Sequence, residues 1–192
     1  MENNFKRLNL ITERLEIRNL KLSDLTDFHA YRSNPEVTKY QGFDVFTFDE
    51  ANSFIEEHSM KEFGTPGEWV QYGIENRTSD KLIGDCAIKL QQDDPRIAEI
   101  GITVSPAEQK NGYAKEALTG ILTFLFDAKG IRRVVEIVDT ENVASIRLLE
   151  SLGFRQEGHF IENIYFKGKW SSEYQYAMLK HEWDEIKINL SK

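Results

Sequence analysis

Ala98-Glu99-Ile100-Gly101-Ile102-Thr103-Val104, then Ser105-Pro106 and Gln109-Lys110-Asn111-Gly112-Tyr113-Ala114, form the stretch from which the rest of the chain is most readily placed. The first seven residues set apolar Ile100, Ile102 and Val104 against Glu99, Gly101 and Thr103. That period of two predicts a strand with one covered face and one chemically distinct face. Pro106 cannot donate a ladder bond and ends the strand. From Ala114 the apolar positions fall at Ala114, Ala117, Leu118, Ile121, Leu122 and Leu125, the spacing of a helix packed on a sheet along one face. Between them Gly112 permits a close backbone turn, and the first helical N–H groups have no intrahelical acceptor. Such donors, at the positive end of a helix dipole, favour a phosphate, although Gly112 could simply shape the turn.

Further along, Asn142-Val143-Ala144-Ser145-Ile146-Arg147 through Leu152-Gly153-Phe154 predicts a short helix with Asn142 as N-cap and Gly153 as its stop. Upstream, Leu15 to Arg18 alternates as a strand. Leu20 to Tyr31 reads as a helix broken by Asn34-Pro35, and Thr47 to Glu50 has the spacing of a capping box that launches a second helix. His58, on the buried face of that helix, suits a core histidine better than a catalyst. Trp69–Glu75 and Leu82–Leu90 read as a hairpin, and Arg133 to Val138 as a strand buried on both faces. After Phe154 come a strand to about Tyr165, a turn at Lys167-Gly168-Lys169 and a strand from Tyr174 to Leu179. A last piece, Glu182 to Leu190, is expected to cap or fray.

Gln109-x-x-Gly112-x-Ala114 resembles the acetyl-coenzyme A pyrophosphate loop of the GNAT N-acetyltransferase superfamily. Asn142-x-x-Ser145 running into Leu152-Gly153-Phe154 resembles its second cofactor block. The wording is similar to the branch holding the ribosomal-protein alanine acetyltransferases (RimJ/RimL-type), and the resemblance extends from Leu10 to about Met178. It implies an α/β (α+β) fold, with a mixed, mostly antiparallel seven-stranded sheet and helices on both faces. It also implies splayed central strands that admit the pantetheine arm. On that basis Ile102, Thr103 and Val104 would bond the arm, Gln109, Lys110, Asn111, Gly112, Tyr113 and Ala114 would hold the pyrophosphate, and Asn142, Ser145 and Arg147 would meet the cofactor from the other side.

The implied reaction is acetyl transfer from acetyl-CoA to a primary amine, most readily a protein or peptide N-terminal α-amine. Small-molecule acceptors (aminoglycosides, polyamines) and a non-catalytic acyl-CoA sensor remain the competing readings. Glu99 is the base candidate, with an ion-paired strand residue as its alternative. Ser145 is the candidate donor to the departing thiolate, with a helix cap as its alternative. The tyrosine that many GNAT enzymes use instead has no clear counterpart here. The family's acceptor segment corresponds to Tyr31–Phe48, so Tyr31, Tyr40 and Phe46, with Glu99, are expected at the acceptor, although Tyr40, Phe43, Phe46 and Phe48 also suit a satellite core under a loop.

At 192 residues, with 40% hydrophobic and 29% charged residues, the chain fits one domain spanning 1–192 with a full core. A net charge of -8 argues against nucleic acid and would attract a cationic amine. No apolar run approaches the ~20 residues of a membrane span, and the residues before Phe5 lack an apolar leader. A cytoplasmic enzyme without membrane attachment is expected, and a homodimer is compatible with it. Four scattered histidines and the single Cys86 give no metal-ligand spacing and no internal disulfide, so Cys86 is expected in the core of its strand.

Overall fold

The computed structural model describes residues 8–190; the polar residues before Phe5 lie outside them. One eight-stranded sheet has the order β1-β2-β3-β4-β5-β6-β8-β7. Its strands are β1 (Asn9–Ile11), β2 (Leu15–Asn19), β3 (Trp69–Asn76), β4 (Lys81–Leu90), β5 (Ile97–Val104), β6 (Arg133–Asp139), β7 (Arg155–Phe166) and β8 (Lys169–Leu179). Among the described residues the only parallel pair of strands is β5 with β6, joined through helix α4 (Tyr113–Thr123), and every other strand pairing is antiparallel. The expected mixed sheet is present with eight strands rather than seven. The extra one, β1, is three residues long and pairs Asn9 with Arg18, and so short a segment carries no readable alternation.

Helices cover both faces. On one lie α1 (Leu25–Arg32), the short α2 (Pro35–Thr38) and α3 (Phe48–Ser59), where Leu20, Phe28, Tyr31, Ala51, Ile55 and Leu82 form a compact cluster. The other carries α4, α5 (Val143–Ser151) and α6 (Lys180–Leu190) over the larger core that includes Tyr72, Cys86, Ile100, Leu118, Ile121, Leu149 and Trp183. Thr47 opens α3 with the expected capping box, its hydroxyl accepting from the Glu50 N–H while the Glu50 carboxylate accepts from the Thr47 N–H at 2.7 Å. His58 is buried, its Nδ1 accepting from the Gln71 N–H at 3.1 Å, and burial lowers its pKa to about 4.

Thr103 is 8% exposed, whereas Glu99 and Gly101 on the same face of β5 are half-buried. One expectation changes. The C-terminal helix is docked rather than frayed. Trp183 is fully buried and stacks on Phe126 with ring centroids 6.2 Å apart, and Lys187 pairs with Asp127 at 2.7 Å.

Candidate active site

The turn before α4 is built as a donor cradle. Lys110 and Gly112 take positive φ, +65° and +82°, and the intrahelical ladder begins only where the Glu116 N–H donates to the Gly112 carbonyl at 3.1 Å. The N–H groups of Tyr113, Ala114 and Lys115 therefore precede the ladder, at the positive end of the helix. Gln109, Lys110, Asn111 and Gly112 are exposed, and Tyr113 and Ala114 half-buried. Arg14, at the foot of β2, clamps the turn. Its Nη1 donates to the Asn111 carbonyl at 3.0 Å, its Nε to Glu116 at 2.7 Å, and its guanidinium lies 4.5 Å from the Tyr113 ring centre. A Cβ on Gly112 would approach only Arg14 Nη2, at 3.5 Å. No protein backbone lies within that reach, and what demands glycine there is the left-handed φ.

Beyond β5 the sheet forks. β5 and β6 pair only as Ile97 with Arg133, Ala98 with Val134 and Glu99 with Val135, whereas β5 stays paired with β4 as far as Val104 and β6 with β8 as far as Asp139. Ile100–Val104 therefore presents a free backbone edge toward β6, five residues or about 16 Å long at ~3.3 Å each. At the closed end Glu99 forms a 2.6 Å salt bridge with Lys89, and Lys89 in turn lies over Trp69. The first β6 residue past the fork, Glu136, is buried with Oε2 unpartnered. Burial, with the Glu99 charge second, raises its pKa to about 8.

Helix α5 begins beside the open end of the fork. Asn142 caps it, its side-chain carbonyl accepting from the Ser145 N–H at 3.3 Å, and Gly153 at φ +88° closes it while the Phe154 N–H returns to the Leu149 carbonyl at 3.0 Å. The Ser145 hydroxyl takes no partner among the described residues, so the cap belongs to Asn142. Arg147 points into solvent. Past Asp139, a cavity of about 510 Å³ is walled by the 35–45 segment, the end of β6 and the β7–β8 turn. Lys167 ties these walls together, donating to the Thr38 carbonyl at 2.7 Å and the Phe43 carbonyl at 2.9 Å, and the Tyr40 hydroxyl donates to the Glu141 carbonyl at 3.2 Å.

A forked sheet with a phosphate-suited turn at its mouth agrees with what the comparisons show. The acetyltransferase (GNAT) domain pattern matches residues 14–155. The chain belongs to the GNAT acetyltransferase family. It is 31% identical to the uncharacterized N-acetyltransferase p20 of Bacillus licheniformis, over 91% of this chain and 97% of that protein. A GNAT-family acetyltransferase from Bacillus anthracis superposes with a TM-score of 0.82 at 27% identity, covering 91% and 99% of the two chains. Spermidine N-acetyltransferase from Vibrio cholerae, solved with CoA and spermine, superposes at 0.75 with 22% identity over 90% and 99%, a likeness of fold. This protein is an acetyl-CoA-dependent N-acetyltransferase. Among the described residues no helix is long and apolar enough to cross a membrane.

Within this acetyltransferase the residues named from the sequence fall into four places. Ile102 to Val104 lie on the free edge of β5, Gln109 to Ala114 form the turn that leads into α4, and Asn142 and Ser145 stand at the start of α5. Glu99 sits at the closed end of the fork. Of the aromatic trio only Tyr40 lines the cavity. Tyr31 is buried with its hydroxyl donating to Asp85 at 2.6 Å, and Phe46 packs against Phe28 and Phe54. Sequence reading passed over Arg14, the buried Arg32–Asp85–Gln71 cluster beneath α1, and Glu136. The signal for the two buried acids was there, since each is a lone carboxyl inside an otherwise apolar strand, Leu82 to Ile88 and Val134 to Val138.

Proposed function

We propose that this acetyltransferase acts on protein or peptide N-terminal α-amines, in the manner of the RimJ/RimL-type enzymes, in the cytoplasm. The supporting observation is the charge of the acceptor cavity. There Lys167 pairs with Asp44 and Lys169 with Glu141, and Lys39 lines the cavity with Asp139, so a polycation such as spermidine meets no surplus of acids. An α-amine also makes a smaller demand on a base. With a pKa of ~7.7 to 8 it is roughly a quarter neutral near pH 7.4, whereas a lysine amine at ~10.4 is neutral in about one molecule in a thousand, a deficit of ~4 kcal/mol.

The chain's residues fit acetyl-CoA. The unladdered N–H groups of Tyr113 to Lys115, with Arg14 and Lys110, suit a pyrophosphate, and the free edge of Ile102 to Val104 suits amide groups of an extended arm. When bound, acetyl-CoA supplies the activated acyl carbon. Glu99 accepts a proton from the amine directly or through water, and Ser145 donates a hydrogen bond at the sulfur. An aliphatic hydroxyl is a far weaker acid than a thiol of pKa ~8.5, so Ser145 keeps its proton. A homodimer would find its surface on β7, the outer strand, where Ile161 and Tyr165 are exposed. An acetyl-CoA turnover screen against short peptides of varied N-terminus, polyamines and aminoglycosides tests the acceptor. Turnover on spermidine above that on every peptide would overturn it.

A further inference from the structure

Glu136 is the least explained polar group in the sheet. It occupies the first β6 position past the last β5–β6 pair, is 6% exposed, and leaves Oε2 without a partner. An unsatisfied buried polar group costs stability. The groups around it offer no cation. Opposite it on β8 stands Tyr176, whose hydroxyl is committed to Glu150 of α5 at 3.2 Å. Glu99, paired in register with Val135 one residue before Glu136, has its charge taken by Lys89 at 2.6 Å. The buried cluster on the α4 face, which includes Leu118 and Ile121, is apolar.

Because β5 and β6 run parallel and the α4 turn lies past the open end, a ligand phosphate on that turn sends an extended arm along the free edge of Ile100–Val104. The reactive end of the arm then points down into the fork, toward Glu136. We propose that the Glu136 carboxyl group donates a hydrogen bond to the acyl carbonyl oxygen of the thioester. This rests on the acetyl-CoA reading above. Burial raises its pKa to about 8, which keeps an O–H in place at neutral pH, as a site meant to donate requires. During transfer the amine nitrogen bonds to the acyl carbon, the C–S bond breaks, and its electron pair leaves on sulfur as thiolate. The surplus amine proton leaves by Glu99 or water. Charge grows on the carbonyl oxygen during attack and is returned as the C–S bond breaks, so Glu136 stabilises it without giving up its proton.

Glu136→Gln keeps an N–H donor of the same shape, and Glu136→Leu removes it. Calorimetry with acetyl-CoA on the unaltered protein comes first, since failure to bind there would overturn the acetyl-CoA reading and this proposal with it, whereas binding without the spectral and kinetic effects below would overturn the proposal alone. With binding in hand, isotope-edited infrared spectra of bound ¹³C-acetyl-CoA without acceptor should show the carbonyl stretch at lower frequency in the unaltered protein and in Glu136→Gln than in Glu136→Leu. Glu136→Leu should lose kcat by about a hundredfold, with Glu136→Gln within a few-fold. The ratio of unaltered to Glu136→Gln turnover should fall as pH rises from 7 to 9, because only the carboxyl loses its proton and the acceptor's own ionisation cancels. Identical stretches in all three proteins, or a ratio that rises with pH as a base would give, would overturn the proposal.

Discussion

At the scale of single residues, Ser145 and Asn142 separate chemistry from stability within one helical turn. Because the Asn142 side chain caps α5 and the Ser145 hydroxyl caps nothing, Ser145→Ala should lower kcat by ten- to a hundredfold, one or two decades at 1.4 kcal/mol each, with an unchanged melting temperature. Asn142→Ala should cost ~1 kcal/mol of stability, seen as an earlier thermal transition. Single-turnover rates and melting on both variants check the assignment, and an earlier transition in Ser145→Ala with an unchanged rate would reverse it. Glu99 is tested by ratios. Glu99→Gln should slow turnover of a high-pKa amine more than that of an α-amine, and equal losses would leave Glu99 as the salt-bridge partner of Lys89 alone.

At the scale of elements, the fork depends on how closely β4 approaches β5. A Cβ on Gly84 would collide with the Thr103 carbonyl oxygen, so Gly84→Ala must push the edge strand that the arm would follow. Loss of ~1–3 kcal/mol and weaker acetyl-CoA binding are expected, measured by denaturant titration and calorimetry, and full retention of both would show that the strand edge yields freely. The last helix is anchored by Trp183 against Phe126. Trp183→Ala should cost ~3–5 kcal/mol, which a segment that merely frayed would not.

At the scale of the whole molecule, two buried groups give stability a pH dependence of opposite sign. Glu136 titrates at about 8 in the fold against ~4.3 unfolded, so the native state holds the extra proton and stability falls as pH rises through that interval. His58 titrates at about 4 against ~6.5 unfolded, so its contribution is complete above ~6.5 and lost as pH falls toward 4. Below about 6.5 the two oppose each other, and from there to about 8 Glu136 acts alone. The melting temperature should therefore decline between pH 6.5 and 8, and that decline should vanish in Glu136→Gln. A decline that persists in the variant would place its origin elsewhere. The sequence by itself determined both caps of α5 and nearly every strand, because these depend on periodicities and turn residues local to a few positions, and the GNAT family was legible in it as a resemblance. Only the tertiary structure decided that Glu99 meets Lys89 and that Tyr31 faces Asp85 rather than the cavity. It also decided that Ser145 is free of the cap and that Glu136 lies buried at the fork without a partner. Each of these depends on which strand edge or helix from a distant part of the chain packs against the residue, and no local spacing encodes that.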